Sequence, residues 1–80
     1  MLTVKMWKDI NTFEPIKNGD LDVDGTVKRI ADFRGKTVAE VEEMEISDLL
    51  PEFLKCYHEA NAAVFTKLNQ LPKNAEGDGN

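Results

Sequence analysis

Three aspartates at alternate positions, followed by a glycine, form the pattern in this chain closest to a metal-binding loop. Asp20, Asp22, Asp24 and Gly25 match the opening half of a calcium loop, in which alternating carboxylates converge on a hard cation. With Asp20 as the first position of such a loop, Ala31 occupies the position where a bidentate carboxylate is needed. We therefore expect a turn with solvated aspartates and no cofactor. A calcium-binding module that uses the three aspartates is retained as an alternative function.

Cys56 and His58 are the residue types of a nucleophile and its base. The pattern around them predicts a helix, on which residues two apart point about 200° away from each other and cannot share a proton. We expect Cys56 at the edge of a buried face and His58 in solvent, and we predict no enzymatic activity. Cys56 is the only cysteine, so an internal disulfide is excluded and a cytoplasmic location is the simpler interpretation.

An apolar stripe with alternating spacings of four and three residues is the most regular pattern in the chain. It predicts one long helix from Ser47 to Leu71, with Pro51 in its first turn and Pro72 just after its end. Such a helix is about 35 Å long, which exceeds the width of an 80-residue domain. Its own chain can therefore cover only part of the stripe, and we expect the rest to bind a protein partner or a second copy. The predicted binding residues are Leu50, Leu54, Tyr57, Asn61, Val64, Leu68 and Leu71.

Asn61, Trp7 and Phe65 could each serve either a contact with another chain or the structure of their own chain. Asn61 lies in the middle of the stripe, where it either fixes the register of a dimer by pairing with its counterpart or bonds within its own chain. Trp7 and Phe65 are expected in the core rather than at a contact surface, because large aromatic side chains usually serve packing.

The N-terminal third predicts strands. Alternation of Leu2, Val4 and Met6 with polar or larger residues indicates a first strand, and residues 9–19 are expected to be a loop anchored by Phe13 and Ile16. The next segment is expected to be a hairpin with arms near 20–23 and 26–33. Its turn would be the dipeptide at positions 24 and 25, because aspartate followed by glycine suits a type I′ turn.

A short helix is the competing interpretation of residues 26–34. In that alternative Val27–Arg34 is helical, Thr26 caps its N-terminus, and Gly35 supplies the left-handed residue after its end. The sequence leaves strand and helix open here, because Val27 and Ile30 would point to opposite faces of a regular strand.

Thr37 and Glu40 fit a capping box and predict the start of a short helix whose apolar side carries Val38, Val41 and Met44. The predicted fold is α+β, with an N-terminal strand and a β-hairpin packed on this short helix and on the long C-terminal helix. Residues 1–71 are expected to form a single small domain and residues 72–80 a disordered tail. The predicted core is Leu2, Val4, Met6, Val38, Val41, Met44, Leu50, Phe53, Leu54, Tyr57, Val64 and Leu68.

The net charge of −5 is unevenly distributed, because residues 37–80 contain nine acidic and three basic side chains. Such a surface disfavours nucleic acid and anionic membranes as partners, and favours a basic protein or simple solubility.

A helix-turn-helix that binds nucleic acid is the other alternative function, since Ile30, Ala31, Gly35, Val41 and Met44 have suitable spacing. Its recognition helix would carry four glutamates and would be repelled by DNA. We expect neither a signal peptide nor a membrane span in the first 13 residues, because Lys5, Lys8 and Asp9 interrupt their apolar residues.

One pattern within residues 25–50 is a glycine turn, then alternating basic and apolar residues, then the start of an acidic helix and the start of another helix. Its positions are Gly25, Val27, Arg29, Phe33, Gly35, Thr37, Val41, Ser47, Asp48 and Leu49. In this pattern the segment resembles small bacteriophage tail-assembly chaperones. The resemblance covers about a third of the chain. It implies a small acidic protein of the host cytoplasm, with a mainly helical C-terminal part, that shields the apolar helices of a tape-measure protein until the tail tube forms.

Overall fold

The computed structural model describes residues 2–69, and for residues 67–69 the backbone alone. The described chain is mostly helical and contains one two-stranded antiparallel hairpin and a long C-terminal helix, which is compatible with the expected α+β class. The predicted tail at 72–80 and the predicted helix end at Leu71 and Pro72 lie outside the described residues. The elements in order are α1 (Val4–Thr12), β1 (Ile16–Lys17), β2 (Asp20–Leu21), α2 (Val23–Arg34), α3 (Val38–Val41) and α4 (Ile46–Asn69).

The predicted N-terminal strand is wrong, because these residues form helix α1. Thr3 caps the helix, and its hydroxyl accepts a hydrogen bond from the backbone N–H of Met6 over 3.1 Å. Met6 and Ile10 are four residues apart and so lie on one side of the helix, where Ile10 is buried. The helix continues to Thr12, so most of the predicted loop at 9–19 is either helix or strand.

A hairpin exists, but it lies earlier than predicted. Ile16 pairs with Leu21 and Lys17 with Asp20. The turn between them is Asn18-Gly19, and both residues have the positive φ that a type I′ turn requires, 55° and 81°. Ile16, predicted to be a core anchor, is exposed in β1.

Residues 23–34 form helix α2, so the hairpin predicted at 20–33 is wrong and the competing helical interpretation is correct in type. The helix begins earlier than that interpretation had it, because Asp22 rather than Thr26 is the N-cap. The Asp22 carboxylate accepts a hydrogen bond from the backbone N–H of Gly25 over 2.9 Å. Gly35 ends the helix in the left-handed conformation with a φ of 69°, as the helical interpretation predicted.

The capping box at the start of α3 is confirmed. The Thr37 N–H donates to the Glu40 carboxylate over 2.8 Å, and the Glu40 N–H donates to the Thr37 hydroxyl over 3.1 Å. The helix is a single turn, much shorter than a recognition helix of a helix-turn-helix. The long helix α4 is uninterrupted from Ile46 to Asn69, and Pro51 lies inside it, beyond the first turn.

The core lies where α2 crosses α4, with α1 and α3 packed beside them. Val41 and Phe53 are buried as predicted, and Leu2, Met6, Met44 and Leu50 are half-buried. Five predicted core residues are instead exposed: Val4, Val38, Leu54, Tyr57 and Val64. The buried apolar residues are Ile10, Val27, Ile30, Ala31, Val41, Leu49, Phe53, Cys56 and Ala60.

An ion pair and a cation–π contact join α1 to α2. Arg29 donates to the Asp9 carboxylate over 3.0 Å, and its guanidinium lies 4.2 Å from the centre of the Phe13 ring. Within residues 2–69, no helix combines the length and the apolar character needed to cross a membrane.

Candidate protein-binding surface

Helix α4 carries two apolar stripes that differ by one residue in register. The first consists of Leu49, Phe53, Cys56 and Ala60 and is buried against the rest of the chain. The second, which we call the exposed stripe, consists of Leu50, Leu54, Tyr57, Asn61 and Val64. Leu50 and Asn61 are half-buried, whereas Leu54, Tyr57 and Val64 are 46%, 37% and 44% exposed. The stripe predicted from the sequence is therefore the outer one. Of the inner stripe, Phe53 was predicted in the core and Cys56 at the edge of a buried face, whereas Leu49 and Ala60 were not predicted.

Two predicted members of the exposed stripe are not tested by the structure. Leu71 lies outside the described residues, and of Leu68 only the backbone is described. Phe65, which was expected in the core, is instead 61% exposed at the edge of the stripe. The described apolar surface of α4 thus continues to the end of the residues whose side chains are described.

An apolar groove of about 310 Å³ adjoins the exposed stripe at Val64. We call it the α1 groove, because Leu2, Thr3, Val4 and Trp7 supply its other residues. Trp7 is half-buried and packs against the core. Its indole nitrogen is buried, and no described residue accepts a hydrogen bond from it. The groove could not be predicted from the sequence as long as the N-terminal residues were expected to form a strand.

Asn61 bonds within its own chain, which is the second of its two interpretations. Its side-chain amide donates to the Asn11 side-chain oxygen over 3.2 Å and to the backbone carbonyl of Tyr57 over 2.8 Å. The Asn11 amide in turn donates to the carbonyl of Trp7 over 2.9 Å. This chain of hydrogen bonds fixes α1 against α4, and so fixes the relative position of the α1 groove and the exposed stripe.

Arg34 clamps α2 to the other side of α4. Its guanidinium makes a two-pronged contact with the Glu59 carboxylate, at 2.6 and 2.9 Å, and its Nε donates to Glu52 over 2.9 Å. The hydrogen bonds to Glu59 and Glu52 raise the pKa of Arg34, and the bond from Arg34 lowers the pKa of Glu59. We interpret this cluster as a structural clamp, because Arg34 and both glutamates find their hydrogen-bond partners within the chain.

Cys56 is buried beneath this clamp, while His58 is exposed, as predicted. Burial raises the pKa of the Cys56 thiol to about 11, and the nearby Arg34 opposes this only in part. The thiol is therefore protonated at neutral pH, and the pair does not have the geometry of a nucleophile and its base.

We expect Cys56 to react with a thiol reagent such as DTNB at least about 100-fold more slowly in the native protein than in urea-unfolded protein. Burial and the raised pKa both reduce the reactive thiolate. Stopped-flow absorbance at neutral pH, with and without urea, measures the ratio. Equal rates in the two states would show that Cys56 is not protected by the fold.

The three aspartates considered for calcium lie in or beside different elements. Asp20 belongs to β2, the Asp22 carboxylate caps α2, and Asp24 lies in the first turn of that helix. Across residues 2–69, no group of three or more His, Cys, Asp or Glu side chains is arranged to hold a metal ion.

No protein-family model, curated protein or solved structure matches this chain.

Proposed function

We propose that the protein is a non-enzymatic binding or assembly factor whose exposed stripe holds an amphipathic helix of a partner protein. The observation that carries this proposal is the second apolar stripe of α4. The buried stripe is enough to attach the helix to its own chain. Leu54, Tyr57 and Val64 nevertheless form a second apolar stripe, which is offset from the first by one residue and is exposed. Apolar positions at spacings of three and four residues are the geometry of helix-in-groove recognition.

The α1 groove extends this surface and supports the same function. Val64 belongs to both, so a partner helix on the exposed stripe would reach Trp7 and Leu2 without a break in apolar contact. Burying the exposed part of each half-exposed side chain contributes about 1 kcal/mol. Four such side chains, counting Phe65, contribute about 4 kcal/mol in total, from which the cost of association must be subtracted, so we expect a reversible rather than a permanent complex.

The resemblance to tail-assembly chaperones gives this proposal a specific form. In that form the protein acts in the cytoplasm of the host and shields apolar helices of a tape-measure protein. The geometry supports the general part, because a surface that receives an amphipathic helix is the surface such shielding requires. Self-association through the same stripe is the competing use of this surface.

The test uses a neutral synthetic helix with leucines at spacings of three and four residues as the probe. Trp7 is the only tryptophan and lines the α1 groove, so its fluorescence reports binding directly. We expect saturable binding to the full chain, and at least about tenfold weaker binding to Leu54→Glu/Val64→Glu, which places two charges on the surface.

Ala62→Glu/Thr66→Glu is the matched control. It adds the same two charges to exposed positions of α4 outside the stripe, and we expect binding to remain as in the unmodified protein. Sedimentation equilibrium of each variant distinguishes partner binding from self-association. If the unmodified protein is a dimer and only Leu54→Glu/Val64→Glu is a monomer, the stripe serves self-association. Equal binding by both double variants would contradict a role for the stripe.

A further inference from the structure

A second apolar depression lies at the opposite end of α4 and shares no residue with the α1 groove. It has a volume of about 200 Å³ and is formed where α2, α3 and the first turns of α4 meet. Ile46, at the start of α4, is 65% exposed beside it, and Val23 of α2 is also exposed. The apolar residues that line it are Val23, Val27, Val41, Met44, Ile46 and Leu49.

Acidic side chains border this depression. Glu42 and Glu45 line it directly, and no basic residue does. They belong to residues 37–54, which contain six acidic side chains and no lysine or arginine. Neither carboxylate forms a side-chain hydrogen bond or an ion pair with a described residue, so both are available to a partner.

We propose that this acidic-rimmed pocket is a second docking site, which receives an aliphatic side chain from a basic peptide segment of another protein. The apolar lining accepts one branched side chain, and Glu42 and Glu45 pair with lysine or arginine residues that flank it. Charge complementarity selects the partner, because an acidic or neutral segment would leave the two carboxylates unpaired or facing like charge.

The pocket lies far from the α1 groove, although the exposed stripe begins only one helical turn away from the pocket, at Leu50. Ile46 and Val64 are joined by continuous α4 and are therefore about 27 Å apart along the helix. A basic segment in the pocket and a helix bound at the Val64 end of the exposed stripe, over the α1 groove, can therefore bind at the same time. The protein would then connect two different partners, or two segments of one partner.

The test uses two synthetic peptides with ¹⁵N-labelled full chain. Both peptides carry a central isoleucine, flanked by lysines in one and by glutamates in the other. We expect the lysine peptide to shift the backbone amide signals of Val23, Val41, Met44 and Ile46, and to bind at least about tenfold more tightly than the glutamate peptide at low salt. Binding should weaken as salt is added.

Two variants of equal charge locate the site. Glu42→Lys/Glu45→Lys should weaken binding of the lysine peptide by about tenfold or more. Glu14→Lys/Asp20→Lys makes the same change in net charge at exposed positions elsewhere, and it should leave this binding unchanged. Ile46→Gln should also weaken binding, because it removes the exposed apolar contact. Equal weakening by both charge variants would overturn the proposal in favour of non-specific attraction.

Two further results would also overturn it. Undiminished binding to Ile46→Gln would mean that the apolar pocket takes no part. Shifts at the same amides that appear with rising protein concentration and no peptide would assign the pocket to a second copy of this chain. Because the exposed stripe is intact in every variant used here, none of these outcomes depends on whether the stripe binds a helix.

Discussion

Replacing Phe53 with alanine is expected to lower the free energy of unfolding by about 3–5 kcal/mol. Phe53 is 3% exposed in the inner stripe of α4, and its ring meets the edge of Phe13 with centroids 5.7 Å apart. The substitution removes the buried ring and leaves a cavity between α4 and the residues that follow α1. A chain of this size is stable by only about 4–12 kcal/mol, so the loss is a large fraction of the total.

Phe65→Ala is the control for this prediction, because it is the same substitution in the same helix at a position that is 61% exposed. Urea unfolding followed by circular dichroism should show a change below about 0.5 kcal/mol for Phe65→Ala. Similar losses of unfolding free energy in the two variants would contradict the assignment of Phe53 to the buried stripe and of Phe65 to the exposed surface.

Gly25→Ala is expected to destabilise the protein by about 1–3 kcal/mol, although alanine is normally the better helix former by about 1 kcal/mol. Gly25 lies in the first turn of α2 with an ordinary helical backbone. A Cβ atom at this position would lie 2.8 Å from the Phe13 ring and 2.6 Å from the Asp22 carboxylate. Because that carboxylate caps the helix, a shift of its side chain also weakens the cap.

A double-mutant cycle with Phe13→Leu tests the cause. If contact with the aromatic ring is responsible, Gly25→Ala should cost less in the Phe13→Leu background than in the unmodified protein. Thermal or urea unfolding of the four proteins gives the coupling free energy. A stabilising Gly25→Ala would show that helix propensity dominates and that α2 has room at this turn.

Local signals that depend on a few adjacent residues were predictable from the sequence. The capping box of Thr37 and Glu40 and the left-handed Gly35 are of this kind, since each satisfies backbone groups within one turn. The long helix was also predictable, because 24 residues of regular spacing leave no other period that fits.

The N-terminal half was harder because its signals were short and ambiguous. The spacing of Leu2, Val4 and Met6 fits a strand, but that of Leu2, Met6 and Ile10 fits a helix equally well. The N-cap at Thr3 favours the helix. The type I′ turn was expected at the wrong dipeptide. Asn18-Gly19 forms it, while Asp22 uses its carboxylate to start α2 and so prevents a turn at the next aspartate.

Which apolar stripe of α4 is buried could not be predicted from the sequence. Two stripes with the same spacing run along α4, and the sequence favoured the bulkier one as the seam. The structure buries the other, because Cys56 and Ala60 are small enough for α2 and α1 to pack closely against the helix. The α1 groove and the acidic-rimmed pocket depend on contacts between distant segments, which periodicity does not reveal.

The hydrogen bond between Asn11 and Asn61 spans 50 residues and is among the contacts that hold α1 in place. Elements with few buried side chains open most easily in local fluctuations, and of the residues of α1 only Ile10 is buried. When α1 detaches, Leu2, Val4 and Trp7 leave with it and the α1 groove ceases to exist, whereas the acidic-rimmed pocket keeps every one of its residues. Occupancy of the groove therefore slows amide hydrogen exchange throughout α1, while occupancy of the pocket leaves that exchange unaltered.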